Sequence, residues 1–295
     1  MNFFTKLLKW ISFGHWGTTT PTTTDTTTNT TTTRTGQTKR ALCMGINDYP
    51  GTGNDLKGCV NDAQEWAKLF KNKFGFHEVE LLIDSQVTTR NVEDKLKALI
   101  AKSDEDDILA VTYSGHGSNL PDKNGDEVDG KDETLYLYDG HFTDDKIKDI
   151  ISAAKEGVKI TIISDSCHSG TVTRGFLSVI EDEGNPAKVK FMPSDDDAEA
   201  ALLASVPIKK RVFVQNDMRE ILITGCTATE YSYDAYFGKP MGAMSHFATS
   251  ILKGADDLTY IQFYEMLRKQ LPSSRYPQSP QLEGSTENKN RVMFT

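Results

Sequence analysis

The chain has 295 residues and a formal net charge of −9, with a sequence pI near 5.2, which is enough for one large α/β domain or two small ones. That acidic balance leaves no electrostatic footprint for nucleic acid and suits a cationic substrate. No apolar run approaches the roughly 20 residues that span a bilayer, and Cys43, Cys59, Cys167 and Cys226 form no C-x-x-C pair, so free thiols in a reducing, cytoplasmic setting are expected.

In residues 1–17, Phe3, Phe4, Leu7, Leu8 and Ile11 repeat at helical spacing, with Lys6 and Lys9 on other faces. This short amphipathic segment reads either as a frayed leader or as a helix (residues 1–16) that docks on a membrane surface or a partner. Its lysines interrupt the apolar stretch that a secretory signal needs. Residues 18–38 are mostly threonine, with Pro21, Asp25, Asn29 and Arg34 interspersed, and without large apolar side chains they are expected to form a disordered linker.

The folded domain is expected over residues 39–295. Residues 41–46 read as a buried strand, 61–74 as a helix with Trp66, Leu69, Phe70 and Phe74 on one side, and 79–83 as a strand. Val92, Leu96, Leu99 and Ile100 mark a second amphipathic helix. The apolar run 108–113 then ends in Ser114-Gly115-His116-Gly117-Ser118, ahead of an acidic loop over 122–133 and a strand at 135–138. Ile147, Ile150, Ile151 and Ala154 line a helix that Gly157 is placed to end. A third strand delivers Ser164-Asp165-Ser166-Cys167-His168-Ser169-Gly170. The acidic, weakly patterned stretch 174–219 is long for a connection in a compact domain and is expected to be mobile. A strong strand at 221–226 follows, and Thr259 with Gln262 forms a capping-box pattern before a helix to Leu271.

Strands alternating with helices predict a three-layer α-β-α sandwich with a mostly parallel sheet, whose ligands bind at the carboxyl ends of the strands. A cysteine and a histidine stand at two such ends. Cys167 is the candidate nucleophile and His116 the candidate general acid/base, with the backbone N–H groups of Gly117 and Cys167 as oxyanion donors. A lone cysteine or histidine would read more simply as a buried hydrophobe or a satisfied turn residue; the pair, in two small-residue turns, favours chemistry. His168 follows Cys167 on extended backbone and should point to the opposite face. Asp165 should share a face with Cys167, and Ser114 with His116. Core packing is the expectation for Cys43 and Cys226.

Through Tyr113-Ser114-Gly115-His116-Gly117 and Asp165-Ser166-Cys167-His168-Ser169-Gly170 the chain resembles the caspase-like cysteine peptidases, and among them the type I metacaspases of bacteria or lower eukaryotes. Leu56-Lys57-Gly58-Cys59-Val60-Asn61-Asp62-Ala63, Gly242-Ala243-Met244-Ser245 and Pro280-Gln281-Leu282 extend the resemblance over about residues 40–295. It implies a caspase-like fold with a p20-like part at 39–180, a processing region at 181–219 and a p10-like part at 220–295. It also implies cleavage of proteins or peptides after Arg or Lys, with Asp62 and Asp165 holding the basic side chain beside Ser114 and Cys59. Two converging carboxylates repel unless a cation stands between them, and Asp62 also suits the start of a helix.

No cofactor is expected for the chemistry, while the resemblance implies calcium activation through Asp132, Asp144 and Asp145. Arg174 stands where related chains often carry an aspartate, and Glu127 occupies the glycine position of an EF-hand loop. An enzyme of this specificity should be a zymogen that cuts itself at Lys188, Lys190, Lys209, Lys210 or Arg211, and at Arg34, Lys39 or Arg40. A monomer without nucleic-acid partners is expected. The competing readings are a caspase-like scaffold without activity and a cysteine phosphatase; the latter fails because six residues separate Cys167 from Arg174 where its phosphate loop has five.

Overall fold

The computed structural model describes residues 36–51, 53–121, 131–167, 187–193 and 218–295. The amphipathic segment, nearly all of the linker, most of the acidic loop, His168, Arg174, Lys209, Lys210 and Arg211 lie outside the described residues.

The strands β1 (Lys39–Gly45), β2 (Glu78–Ile83), β3 (Ile108–Ser114), β4 (Gly117–Pro121), β5 (Lys131–Leu137), β6 (Gly140–Thr143), β7 (Lys159–Asp165), β8 (Lys188–Val189), β9 (Glu220–Thr224), β10 (Tyr233–Tyr236), β11 (Pro240–Gly242) and β12 (Gln281–Glu283) form three sheets. The central one has the order β12-β9-β7-β3-β1-β2; its strands run parallel except β12, which pairs antiparallel with β9 at the edge. The helices are α1 (Cys59–Asn72), α2 (Thr89–Ala101), α3 (Asp144–Ser152), α4 (Ala243–Gly254), α5 (Tyr260–Arg268) and α6 (Thr286–Asn290).

Period-two alternation sorts the central strands into two cores. Ala41, Cys43, Ile108, Ala110 and Ile163 share one with Trp66 and Phe70 of α1, Ala248 and Leu252 of α4, and Phe263 of α5. Leu42, Met44, Leu109, Val111 and Ile160 share the other with Val92 and Leu96 of α2 and Ile150 and Ile151 of α3. Runs that are apolar at every position are therefore buried on both faces, giving the expected three layers. Among the described residues no helix is long and apolar enough to cross a membrane.

Three local expectations shift. The first helix begins at Cys59, two residues early, and Gly75 at φ 64° ends the turn after it. Gly157 does not close α3, which stops at Ser152; at φ 79° it turns the chain into β7. The strand expected at 135–138 is the end of β5, which pairs with β4 and β6 in a small antiparallel sheet that short polar segments left unannounced. The capping box on α5 is as expected, with Thr259 Oγ1 accepting from Gln262 N and Gln262 Oε1 from Thr259 N.

Candidate active site

Strands β3 and β7 end level, with Ser114 opposite Asp165, so His116 and Cys167 each lie two residues beyond that pair. The His116 N–H donates to the Tyr49 hydroxyl at 2.8 Å, and Tyr113 donates to the His116 carbonyl at 2.7 Å. His116 Nε2 lies 2.6 Å from the Asn54 carbonyl oxygen. A carbonyl only accepts, so Nε2 carries the hydrogen and Nδ1 presents a bare lone pair; Nδ1 makes no hydrogen bond. Burial pushes the imidazole down to about 4; the Asn54 carbonyl opposes this, and the nearby Lys190 and Lys188 charges add to it. The ring is neutral at pH 7, the state that can take a proton from a thiol.

Cys167 is fully buried. Its sulfur accepts from Ser232 N at 2.7 Å and its thiol donates to Ser232 O at 3.3 Å, so it rests on the Ser232 backbone rather than on His116. Cys43 packs in the core, where burial raises it to about 12. Cys226 is buried but is more than packing: a hydrogen bond with Cys167, together with burial, raises its thiol well above the usual range. The β7–β9 register, continued by Gly225 N donating to Ser164 O at 2.9 Å, carries Cys226 to the site.

A stretch expected to be mobile fills this site. In residues 187–193, β8 pairs antiparallel with β10, and Lys190 N donates to Ser232 O at 2.9 Å. The Lys190 carbonyl oxygen accepts from Gly117 N at 3.0 Å and from Cys167 N at 3.1 Å, the two donors expected of an oxyanion hole. Gly117 has no room for a side chain because a Cβ would collide with the Cys167 carbonyl. Lys190 itself is fully buried. Its Nζ stands 3.2 Å from Asp165 Oδ2, 3.3 Å from Asp62 Oδ2 and 2.9 Å from Ser114 Oγ.

Both carboxylates are tied down by the start of α4. Gly242 N donates to Asp62 Oδ1 and Oδ2 at 3.0 and 2.9 Å, and Ser245 N to Asp165 Oδ2 at 2.9 Å. Unpaired N–H groups at a helix start favour anions there. Ser114 donates to Asp62 Oδ2 and Ser232 Oγ to Asp165 Oδ1, each at 2.7 Å. Cys59 is buried beside them; burial raises its thiol well above the usual range while the Lys190 charge pulls it back. Asp234 adds a third buried carboxylate, raised by burial against the pull of Lys190, with Oδ2 accepting from Lys57 N at 2.7 Å.

The shifts within this cluster pull in opposite directions. Burial alone would lower Lys190, yet Asp165, Cys59, Asp62 and Asp234 raise it well above 10.5. Burial raises Asp62, Lys190 pulls it down and Asp165 raises it again. An ammonium facing three acidic side chains keeps its proton, and Asp62, accepting from Gly242 and Ser114, has the hydrogen bonds of an anion. We therefore read the pair as ionised. Gln278, also fully buried, secures the wall: Nε2 donates to Gly225 O at 2.9 Å and Ser232 Oγ at 3.1 Å, while Oε1 accepts from Tyr233 N at 3.1 Å.

Cys167, His116, Gly117, Asp62, Asp165, Ser114 and Cys59 thus converge on one segment of the chain's own backbone. Sequence reasoning missed Tyr49, Asn54, Ser232, Asp234 and Gln278, which carry no local signature; Gly242 and Ser245 lay in a motif noted without a role. Asp132 lies on β5, and Asp144 and Asp145 open α3. Lys148 Nζ lies 2.8 Å from Asp144 Oδ2 and 3.5 Å from Asp145 Oδ1. Among the described residues no three acidic, histidine or cysteine side chains are grouped to hold a metal ion.

Residues 39–174 match the family model described as metacaspase, peptidase C14 domain. Metacaspase-4 of Arabidopsis thaliana is 37% identical over 171 residues, covering 55% of this chain and 40% of the relative. Metacaspase-1 of Cryptococcus neoformans is 31% identical over 297 residues, covering 87% of this chain and 64% of its own length. The chain therefore spans less than two thirds of either relative. A solved structure of a Geobacter sulfurreducens protein superposes with a TM-score of 0.68 at 26% identity, over 88% of this chain and 98% of that one. Caspase-1 of Spodoptera frugiperda shares the fold at a TM-score of 0.53 and 11% identity, over 84% of this chain and 89% of its own. With the Cys167 and His116 turns on adjacent parallel strands of a caspase-like sheet, the chain belongs to the metacaspase family.

Proposed function

We propose that the protein is an endopeptidase that cuts after lysine or arginine, and that its first substrate is its own Lys190–Phe191 bond. One observation carries the reading: the Lys190 carbonyl oxygen lies between the N–H groups of Gly117 and Cys167, while its ammonium lies between Asp62 and Asp165. A side chain of the expected specificity is seated as the residue before the cut. An aspartate in its place would face Asp62, Asp165 and Asp234 with no counter-charge.

Cys167 Sγ, turned from Ser232 toward the carbonyl, passes its proton to His116 Nδ1 and bonds to the Lys190 carbonyl carbon. Negative charge develops on the oxygen held by Gly117 N and Cys167 N. The bond to the Phe191 nitrogen breaks as His116 hands over the proton, leaving a thioester at Cys167 and a new amine at Phe191. Water, deprotonated by His116, then releases the Lys190 carboxylate and regenerates the thiol. The neutral imidazole with its Asn54 anchor suits both directions of transfer.

The test pairs mass spectrometry with peptide kinetics. The wild-type chain should yield fragments ending at Lys190, which Cys167→Ala does not, and matched peptides should be cut after Lys or Arg but not after Asp. Efficient cleavage after aspartate would sink the specificity, and intact wild-type chain under conditions of peptide turnover would sink the self-cleavage. Calcium activation is a separate proposal resting on the resemblance alone; equal rates in chelator and in millimolar calcium would dismiss it.

A further inference from the structure

The pocket for the basic side chain does not account for what lies beyond the Lys190–Phe191 bond. Phe191 bridges Gly117 in parallel register, and Met192 N donates to Gly117 O at 2.9 Å. Ser118 Oγ donates to the Met192 carbonyl at 2.8 Å. Two main-chain groups following the bond to be cut, the Met192 N–H and carbonyl, are therefore held by β4, in the way a strand captures an extended peptide. The Met192 side chain is 4% exposed and belongs to the same apolar cluster as Tyr49 and Leu56. Its sulfur accepts from Asn54 Nδ2 at 3.3 Å. A flexible, polarisable side chain in an apolar niche with a single amide donor is the packing that methionine suits.

Building on the reading of residues 187–193 as a bound substrate, we propose that Asn54 and the apolar cluster to which Tyr49 and Leu56 belong form a binding subsite for the second residue after the cut. It takes an unbranched or leucine-sized apolar side chain. The natural substrates would then be proteins in which a lysine or arginine is followed, two positions on, by such a residue. A carboxylate there would lose its hydration and find one weak amide donor in return. The niche also adjoins the catalytic histidine, because the Asn54 whose side chain touches Met192 holds His116 through its carbonyl.

The experiment uses the full chain, after self-cleavage, on the octapeptide Ala-Lys-Val-Lys-Phe-Met-Pro-Ser and on versions in which methionine is replaced by norleucine or aspartate. A Val-Lys aminocoumarin amide, which has no residue in the proposed subsite, reports the basic pocket alone. Norleucine should keep kcat/KM within about threefold of methionine, since shape and apolarity are preserved. Aspartate should lower it roughly tenfold or more. Equal rates for all three peptides would overturn the subsite and leave cleavage after lysine standing, as would turnover of the coumarin amide with none of the peptides cut. No hydrolysis of any lysine substrate would overturn both the subsite and the function on which it rests.

Discussion

Replacing Lys190 by methionine removes the cation from a pocket in which neither it nor Asp62 nor Asp165 is more than 1% exposed. Breaking a buried pair by deleting one partner costs about 3–5 kcal/mol, because the remaining charge stays desolvated. The new side chain returns at most about 2 kcal/mol through its own burial. In the Cys167→Ala background, where no self-cleavage intervenes, a net loss of about 1–3 kcal/mol is expected at pH 7. For a domain of this size that lowers Tm by about 2–12 °C. The deficit should narrow as pH falls. Without the ammonium the buried carboxyls have raised pKa values, and protonating them removes the uncompensated charge. Lys190→Arg keeps the charge and should lose far less. With Cys167 restored, the arginine variant should still be cut between residues 190 and 191 and the methionine variant should not. Thermal unfolding at pH 7 and pH 5, with mass spectrometry of the active variants, provides the readout. A Lys190→Met chain that melts within a degree of its parent and is nicked at the same bond would refute the argument that this ammonium holds the two carboxylates.

Gly242→Ala would push a methyl group into Lys190 Nζ and the Asp165 carboxylate; kcat/KM for a lysine substrate should fall about tenfold or more, with circular dichroism unchanged. Asp165→Asn removes one carboxylate from the basic pocket, so cleavage after lysine should drop roughly a hundredfold without gaining cleavage after aspartate, as matched peptides will show. His116 is neutral when folded, with a pKa near 4 against an ordinary 6.5. Between those values the unfolded chain holds the extra proton, so stability falls as pH drops from 6.5 toward 4, by about 3 kcal/mol at most. In urea titrations of Cys167→Ala, adding His116→Gln should remove that part of the pH slope; an unchanged slope would mean the imidazole titrates as if exposed.

The central sheet and the turns that carry His116 and Cys167 were legible in the sequence because their causes are local. An all-apolar run such as 108–113 has to be buried on both faces, and a cysteine or histidine in the small-residue turn after it emerges at the sheet's carboxyl edge. The Asp62–Asp165 pocket was legible through the resemblance, and its like charges already called for a cation. Which cation answered them was not. Lys190 is one of several basic residues in a polar, weakly patterned stretch, and nothing within that stretch separates it from Lys188, whose side chain is exposed. Its place follows from backbone pairing with Ser232, Gly117 and Cys167 and from ion pairs with residues up to 128 positions away. The same holds for Gln278, which reaches Gly225 from 53 positions on, and for Asn54, 62 positions before the histidine it anchors. Periodicity records which face of a strand or helix is wet. It carries no term for which distant donor meets which acceptor, and in this protein the tertiary fold alone decides that.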